Sequence, residues 1–593
     1  MKTSLMSLVL GLGAGLSQAA IVTYNWNITY TNANPDGLFE RRVVGVNGQW
    51  PPPPMNVTIG DTLVINAFNE LDVPTALHAH GMFQNGTVWM DGPVGVTQCA
   101  IPPNHGLKYE FNITQHGTYW IHSHYKGQYM DGLRAPLILH NVNETYAYDE
   151  DLTVTVADWY HAQSDDNLNK FMNVYNPTGA EPVPQSGLIN NNVNTSFSFV
   201  PGKTYRLRFI NMSGFSTFII NMDNHTMDII EVDGVESQRT TVNDFYLTAA
   251  QRISVLVTAK NDTSTNYYLH ADMDTVMFDK MPEGLNPNIT APIRYNQGNN
   301  FGPSAGTGGV STFDDFALVP YINATGLPNP DDHVNLTVSF EVTTDGFNRG
   351  MFNELPYLMP KVPTINTLLT IGNLSTNPDV YGPQSGTVMM DHLKFYEVVI
   401  SNTDGNSHPF HMHGHVFYMV GRGEGTWQGD SSVIEWAKNP MSRDTMMVEG
   451  EKFRVIRFRA DNIGAWFFHC HIDWHLESGL AATFIVGADV AQQRMSLPQD
   501  FLDVCTAGGN PATGNAAGKQ GLDLSGVPSG VTLIPDGFTA KGKGAMAACI
   551  LAALIGMGTI VWYAFTDPEK EARAIAENLK NKETTSVAST SSD

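Results

Sequence analysis

The chain has few cysteines and few basic residues for its length. Only four cysteines occur among 593 residues, too few for a disulfide-stabilised scaffold. Lysine and arginine number 33 against 58 aspartates and glutamates, a formal net charge of −25. This acidity argues against nucleic-acid binding, because phosphate backbones require a basic surface. No Gly-x-Gly-x-x-Gly fingerprint follows a predicted strand, so nothing supports a dinucleotide-binding fold. With 42% hydrophobic and 15% charged residues, the composition is that of a folded chain.

The N-terminus has the features of a secretory signal over residues 1–20. Lys2 precedes an apolar run from Leu5 to Leu16, and small residues follow it. The alternative, a membrane anchor, needs a longer run. We expect cleavage after Ala19 or Ala20. Thirteen Asn-x-Ser/Thr sequons spread over the body of the chain support secretion and predict a glycoprotein.

A second apolar stretch, residues 544–566, carries no charge and has Trp562 and Tyr563 near its far end. Its length and interfacial aromatics predict one transmembrane helix. A Gly/Pro-rich linker (501–543) precedes it and a cytoplasmic tail (567–593) follows it. We therefore expect a single-pass type I protein with its body outside the cytoplasm. The sequence does not separate the plasma membrane from the vacuolar membrane.

The body of the chain is predicted to be all-β. Short alternating runs rich in Val, Ile, Thr, Tyr and Phe are separated by Gly, Pro, Asn and Asp clusters, which indicates β-sandwiches or barrels. Residues 117–124 resemble residues 464–471, and a middle segment, 267–272, resembles both but lacks the paired histidines. Three related β domains follow from this repetition. Their predicted limits are 21–145, 146–310 and 311–500.

Histidines recur in His-x-His pairs. Alternate residues of a strand point to one face, so both imidazoles of such a pair can enter one cavity. Four pairs in a chain with nineteen histidines indicate metal binding rather than structural histidines. The pairs are His78/His80, His122/His124, His411/His413 and His469/His471.

Cys470 lies between the histidines of the last pair and points to the opposite face of its strand. With His408 and His475 it completes a two-histidine, one-cysteine set, which is the ligand set of blue copper. Its sulfur can bind one copper while the flanking imidazoles bind others, so the peptide connects the sites for electron transfer. Zinc is redox-silent and does not require this arrangement.

These motifs, His78-x-His80, His122-x-His124, His408-x-x-His411-x-His413 and His469-Cys470-His471 followed by His475, resemble the four copper motifs of multicopper oxidases. The resemblance extends over residues 21–505. It implies three cupredoxin-like Greek-key domains, a copper-free second domain and four copper ions. The implied ligands are His408, Cys470 and His475 for type 1 copper, His78 and His411 for type 2 copper, and His80, His122, His124, His413, His469 and His471 for the type 3 pair.

The resemblance also assigns residues around the copper sites. Leu480 takes the axial position of type 1 copper, where a methionine would be a weak ligand and leucine provides none. Asp91 and Asp473 match acids that deliver protons to bound oxygen, and orienting a ligand imidazole is their alternative role. Cys99 and Cys505 match a disulfide between the first and third domains. His415 is not a family ligand, and we interpret it as structural.

The reducing substrate is less constrained by the motifs. With its anchor, the chain resembles the fungal plasma-membrane ferroxidases of high-affinity iron uptake. Four of their iron-handling positions have counterparts here: Glu181, Asp279, Asp404 and Tyr357. Carboxylates are hard ligands suited to iron. The resemblance implies Fe(II) and O2 as substrates and an iron permease as partner.

Two other functions remain open from the sequence. One is a membrane-anchored laccase-like oxidase of phenols or pigment precursors. The other is a cell-surface copper-binding protein without turnover, although all ten histidine ligand positions and the cysteine are filled.

Overall fold

The computed structural model of the protein describes residues 19–535 and 537–588. Residues 1–18 of the predicted signal and the last five residues of the predicted tail lie outside this range. The chain divides into two compact units, one ending at Leu533 and the other beginning at Ile534.

The first eight strands form two four-stranded sheets that share one core. The sheets have the orders β2-β1-β4-β6 and β3-β8-β7-β5. Apolar residues alternate along the strands, so that Trp26 and Ile28 of one sheet pack in the same core as Leu137 and Leu139 of the other. The strands are β1 Ile21–Ala33, β2 Arg41–Val46, β3 Met55–Thr58, β4 Thr62–Asn69, β5 Leu77–His80, β6 Gly106–Asn112, β7 Gly117–Ser123 and β8 Arg134–His140.

The next eleven strands form a six-stranded and a five-stranded sheet, with the orders β10-β9-β12-β17-β14-β15 and β11-β19-β18-β13-β16. Helix α1, Ser164–Phe171, leaves this pair of sheets between β9 and β10. The strands are β9 Glu150–Trp159, β10 Ser186–Ile189, β11 Phe197–Ser198, β12 Thr204–Asn211, β13 Phe218–Met222, β14 Met227–Val232, β15 Val235–Val242, β16 Asp244–Leu247, β17 Arg252–Thr258, β18 Tyr267–Met273 and β19 Asn288–Arg294.

The last twelve strands form a seven-stranded sheet, β21-β20-β23-β29-β25-β26 with β27 paired to β25, and a five-stranded sheet, β22-β31-β30-β24-β28. The strands are β20 Asp332–Val342, β21 Asn348–Phe352, β22 Thr387–Met390, β23 Phe395–Asn402, β24 His408–Met412, β25 Phe417–Glu424, β26 Glu435–Trp436, β27 Ser442–Arg443, β28 Thr445–Val448, β29 Lys452–Arg459, β30 Gly464–Cys470 and β31 Ala481–Val486. Three helices accompany them: α2 Thr364–Thr370, α3 Asp473–Ser478 and α4 Ala488–Arg494.

One pairing pattern recurs in all three groups of strands. A long first strand runs parallel to a later strand in the same sheet: β1 with β4, β9 with β12 and β20 with β23. This recurrence confirms the predicted all-β fold of three cupredoxin-like domains. The limits 21–145, 146–310 and 311–500 agree with the strand grouping and stay a prediction.

The segment predicted as a linker, 501–543, is not a free connection along its whole length. Helix α5, Gln499–Ala507, places Phe501 and Val504 in the core of the first domain. Cys505 of this helix forms a disulfide with Cys99. The chain then stays within the first compact unit as far as Leu533. Gly and Pro content reports backbone freedom but not the contacts that a segment makes, and the linker limits 501–543 stay a prediction.

The second unit contains helix α6, Ala540–Phe565, and helix α7, Pro568–Ala588. Helix α6 is long and apolar enough to cross a membrane and begins four residues before the predicted span. Cys549 lies exposed on it. Short 3-10 helices occur at Val88–Met90, Lys126–Asp131, Asp315–Ala317, Gly372–Leu374, Pro378–Tyr381 and Ser431–Val433.

One predicted glycosylation sequon is inaccessible. Asn211 is fully buried, and its Nδ2 donates to the carbonyls of Ser216 and Leu247 at 2.9 and 2.8 Å. Attaching a sugar to this nitrogen would break both hydrogen bonds in the core, so Asn211 does not carry a glycan in the folded chain.

Candidate metal centres

His408, Cys470 and His475 meet at one buried point of the third domain. His408 begins β24, Cys470 ends β30 and His475 lies on α3. The Nδ1 atoms of the two histidines are 3.1 Å apart, and the sulfur of Cys470 is 3.6 Å from Nδ1 of His475. Three ligand atoms therefore converge as the predicted type 1 set requires.

Two carboxylates hold the outer nitrogens of these imidazoles. Nε2 of His475 donates to Oε1 of Glu181 at 2.7 Å. Nε2 of His408 donates to Oδ2 of Asp404 at 3.1 Å. Because a carboxylate only accepts, each Nδ1 is left as the bare nitrogen that a metal binds.

Glu181 and Asp404 also line an open pocket of about 250 Å³, together with Asp279 and the two histidines. The acids come from different parts of the chain: Glu181 and Asp279 from the second domain, and Asp404 from the third. Three of the four predicted iron-handling residues are therefore brought together.

Tyr357 is the exception, because it does not line this pocket. Its ring packs against Phe467 at 5.1 Å between centroids, and its hydroxyl is buried without a hydrogen-bond partner among the described residues. Burial raises the pKa of this phenol above its usual value. Tyr357 is therefore not among the residues that line the pocket, and its role in iron handling stays a prediction. The sequence match placed it near the third domain, but it could not show which way the side chain points.

Leu480, predicted for the axial position, is hydrogen-bonded through its backbone to two of the predicted type 1 ligands. Its backbone N–H donates to the carbonyl of His475 at 3.0 Å, and its carbonyl accepts from the N–H of Cys470 at 3.1 Å. The side chain is fully buried and offers no ligand atom. Burial raises the pKa of the Cys470 thiol well above its usual value, so a bound cation is needed to stabilise the thiolate.

The remaining eight predicted ligands gather where strands of the first and third domains meet. Strand pairing sets His78 opposite His122 on β5 and β7, and His411 opposite His469 on β24 and β30. Imidazoles from the two domains interleave, and the rings of His80 and His411 stack with centroids 3.8 Å apart. The internal repeat predicted from the sequence thus corresponds to two pairs of adjacent strands, β5 with β7 and β24 with β30.

Backbone carbonyls orient several of these rings. Nδ1 of His78 donates to the carbonyl of Asp91 at 2.6 Å, that of His122 to Ser123 at 2.9 Å and that of His411 to Asp444 at 3.0 Å. Their Nε2 atoms are buried without a hydrogen-bond partner among the described residues. Since unpaired buried nitrogens are costly, these residues fit a metal that accepts imidazole nitrogens.

The pKa shifts of the clustered histidines also agree with metal binding. Burial, followed by the neighbouring histidines, lowers the pKa of His122, His413 and His471 well below the usual value. These rings are neutral near pH 7, which is the state that binds metal.

Asp91 and Asp473 flank this cluster in different ways. Asp91 accepts a hydrogen bond from Nδ1 of His413 at 2.8 Å and so orients a ligand. Asp473 has a buried Oδ2 without a partner among the described residues. Burial, together with the negative charge of Glu477, raises the pKa of Asp473 well above its usual value. Glu477 lines the same small cavity as Asp473. The sequence offered no signal for Glu477.

Asp444 and Arg252, which lie beside the histidine cluster, were also not predicted from the sequence. Asp444 lies 3.4 Å from Nε2 of His80 and is held by both terminal nitrogens of Arg252 at 2.8 and 2.6 Å. Burial acts to raise the pKa of Asp444, but the charge and hydrogen bonds of Arg252, together with His411, outweigh burial and lower the pKa. Arg252 of the second domain thus holds Asp444 beside the histidine cluster. The partners are 192 residues apart, so no local motif could reveal them.

His415 is buried away from the facing imidazoles, with its ring packed against Trp466 and Phe458. Its Nδ1 donates to the carbonyl of His413 at 3.2 Å. The structure agrees with the structural role predicted for it.

Comparisons with known proteins agree with this geometry. Three sequence models, each described as multicopper oxidase, match residues 27–144, 150–298 and 357–490. The chain is 41% identical over 584 residues to the iron transport multicopper oxidase fetC of Epichloe festucae, covering 97% of this chain and 94% of that protein. It is 36% identical over 597 residues to the iron transport multicopper oxidase FET3 of Saccharomyces cerevisiae, covering 98% and 94%.

Solved structures are similar as well. The crystal structure of Fet3p, described as a multicopper oxidase that functions in iron import, has a TM-score of 0.84 and 36% identity, covering 87% of this chain and all of that one. The laccase from Botrytis aclada has a TM-score of 0.73 and 29% identity, covering 83% and 92%.

Proposed function

Because the chain belongs to the multicopper oxidase family, we propose that it is a ferroxidase supporting iron uptake. It would oxidise Fe(II) to Fe(III) at the type 1 site and reduce O2 to water at the trinuclear cluster. One observation carries the choice of substrate: Glu181 and Asp404, in an open pocket with Asp279, each bond directly to a ligand imidazole.

Copper is the cofactor implied by the family, and four ions match the ligand sets. Bound copper supplies one-electron redox chemistry. The proposed ligands are His408, Cys470 and His475 for type 1; His78 and His411 for type 2; and His80, His122, His124, His413, His469 and His471 for the type 3 pair.

On the substrate side, the acids of the pocket bind the metal ion and favour its oxidised form. A unit charge about 4 Å away interacts by roughly 1–4 kcal/mol at effective dielectric constants of 80 to 20. Each carboxylate therefore stabilises Fe(III) more than Fe(II). The hydrogen bonds from His475 and His408 join the acids to the type 1 ligands and give the electron a short path inward.

On the oxygen side, buried acids hold and pass protons. Reducing O2 to water consumes protons, and burial together with Glu477 raises the pKa of Asp473, which favours its protonated form. Its unpaired Oδ2 is the atom from which we expect transfer. Asp91 fixes the ring of His413, so its contribution to proton delivery and its orienting role coexist.

The anchoring and the partner extend the same proposal. Helix α6 would cross the membrane once, with the catalytic body outside and α7 in the cytoplasm. We place the protein in the plasma membrane, with the vacuolar membrane as alternative. Iron released as Fe(III) would hydrolyse in water, which favours direct transfer to an iron permease in the same membrane.

Steady-state kinetics on the copper-loaded enzyme test the proposal. We expect kcat/KM for Fe(II) to exceed that for a bulky phenol. A preference for the phenol would instead indicate the laccase-like oxidase. Blue absorption without oxygen consumption would indicate a copper-binding protein without turnover.

A further inference from the structure

The residue that bonds to His475 lies on a loop rather than on a regular element. Residues 172–185 connect α1 to β10 and carry Glu181. The loop belongs to the second domain, whereas His475 belongs to the third, and the two side chains are 2.7 Å apart. A contact this short needs the loop to be held in place.

One set of hydrogen bonds that holds the loop lies within the loop itself. Nδ2 of Asn176 donates to the carbonyls of Phe171 and Ala180, both at 3.0 Å, and its Oδ1 accepts from the N–H of Ala180 at 3.1 Å. These three bonds fix the shape of the turn before Glu181. They do not fix its position against the third domain.

A second set of contacts holds the loop against the third domain. Asn348, the first residue of β21, donates from Nδ2 to the carbonyl of Pro177 at 3.0 Å. Gly179 packs so closely on this side chain that an added Cβ would lie 2.9 Å from Oδ1 of Asn348. Gly179 also has a φ of +70°, which favours glycine there. The loop therefore packs directly against the Asn348 side chain and is hydrogen-bonded to it.

The same strand is tied to the helix that carries His475. Arg349 donates from Nη1 to the carbonyl of Ser478 at 3.1 Å, and the N–H of Gly350 donates to Oγ of Ser478 at 2.9 Å. Oγ of Ser478 in turn donates to the carbonyl of His475 at 2.9 Å. Strand β21 thus holds the loop on one side and α3 on the other.

We propose that Asn348 is a positioning residue that sets Glu181 against His475 across the domain boundary. The inference rests on the proposed function, since its effect on turnover concerns Fe(II) oxidation. Asn348 also lines the pocket that contains Glu181, but the proposed role is exerted through Glu181 and does not require a contact with the metal ion. Removing its amide would free the loop, lengthen the contact and slow iron oxidation without disturbing the ligands Cys470 and His408.

Asn348→Leu in the copper-loaded protein tests the role, because leucine keeps the approximate shape and removes the donor. We expect kcat/KM for Fe(II) to fall about fivefold, the typical value of one hydrogen bond. Phenol oxidation and the blue absorption should not change, which also shows that the variant folds. Hydrogen–deuterium exchange of residues 172–185 should become faster.

A double-mutant cycle separates positioning from a general structural role. In the Glu181→Ala background, Asn348→Leu should cause no further loss of iron turnover. The same fivefold loss there would overturn the proposal, as would unchanged iron turnover in the single variant. Asn66→Leu is the matched control: Asn66, on β4 of the first domain, donates one exposed hydrogen bond to Asn25, and its loss should not affect iron turnover.

The experiment distinguishes an error in the proposed iron site from an error in the positioning role of Asn348. If Glu181→Ala alone leaves iron turnover unchanged, the proposed iron site is wrong, and with it the role of Asn348. If Glu181→Ala reduces iron turnover and Asn348→Leu does not, only the positioning role is overturned.

Discussion

Asp404 and Asp473 have the same side chain and lie close in sequence to type 1 ligands, but their surroundings are opposite. The Asp404 side chain is 28% exposed and bonds to His408. Burial acts to raise its pKa, but the hydrogen bond and charge of His408, together with the hydrogen bond from the N–H of Asn406, outweigh burial and lower the pKa. Asp473 is 4% exposed, and burial, with nearby Glu477, raises its pKa.

The difference shows how one residue type serves both halves of the reaction. A carboxylate that stays charged in an open pocket binds a cation and favours its loss of an electron. A buried carboxyl whose pKa is raised holds its proton more tightly and can supply it where oxygen is reduced. Solvent exposure and hydrogen bonding, rather than residue identity, assign the roles.

Cys470→Ser should have the largest effect, because it removes the type 1 ligand that connects the iron pocket to the site of oxygen reduction. Serine does not replace a thiolate as a ligand of blue copper. We expect the blue absorption and the oxidation of both Fe(II) and phenol to fall to background. Oxygen uptake by the chemically reduced variant should persist, since its other ligand histidines are intact. Loss of that uptake would show that the regions are not separable.

Asp473→Asn should reduce turnover of both substrates about a hundredfold, the scale of a lost general acid. Reoxidation of the reduced wild-type enzyme by O2 should slow as pH rises through the raised pKa of Asp473, because the acid then loses its proton. The variant should be slow at every pH, as stopped-flow absorbance can measure. A loss confined to Fe(II) would contradict the assignment of Asp473 to the oxygen side.

Asp279→Asn should have the smallest effect. Asp279 is exposed and lines the pocket, so its charge is screened. We expect KM for Fe(II) to rise about threefold, with kcat unchanged, consistent with about 0.6 kcal/mol of attraction. Phenol kinetics serve as the control. A large fall in kcat would mean that Asp279 belongs to the electron path with Glu181 and Asp404.

Local patterns predicted the fold and the ligands. Alternation along strands made the His-x-His pairs interpretable, because residues two apart must share a face. The spacing between Cys470 and His475 fits the turn from β30 into α3. The resemblance then supplied Glu181 and Asp404 position by position, and the structure sets both acids against ligand imidazoles.

Contacts between distant segments could not be predicted in the same way. Arg252 and Asp444 come from different domains, and Asn348 meets Pro177 across 171 residues. Tyr357 matched a sequence position, but its side chain turns toward Phe467. Composition predicted a linker from residue 501, whereas the helix around Cys505 packs into the first domain.

The most direct test of the substrate is the double variant Glu181→Ala/Asp404→Ala, loaded with copper and assayed with Fe(II) and with a phenol. We expect Fe(II) turnover to fall at least about thirtyfold, because two charges of roughly 1–4 kcal/mol each are removed. The blue absorption and phenol oxidation should persist. Unchanged Fe(II) turnover, or an equal loss with the phenol, would contradict the proposal that these two carboxylates make the protein a ferroxidase.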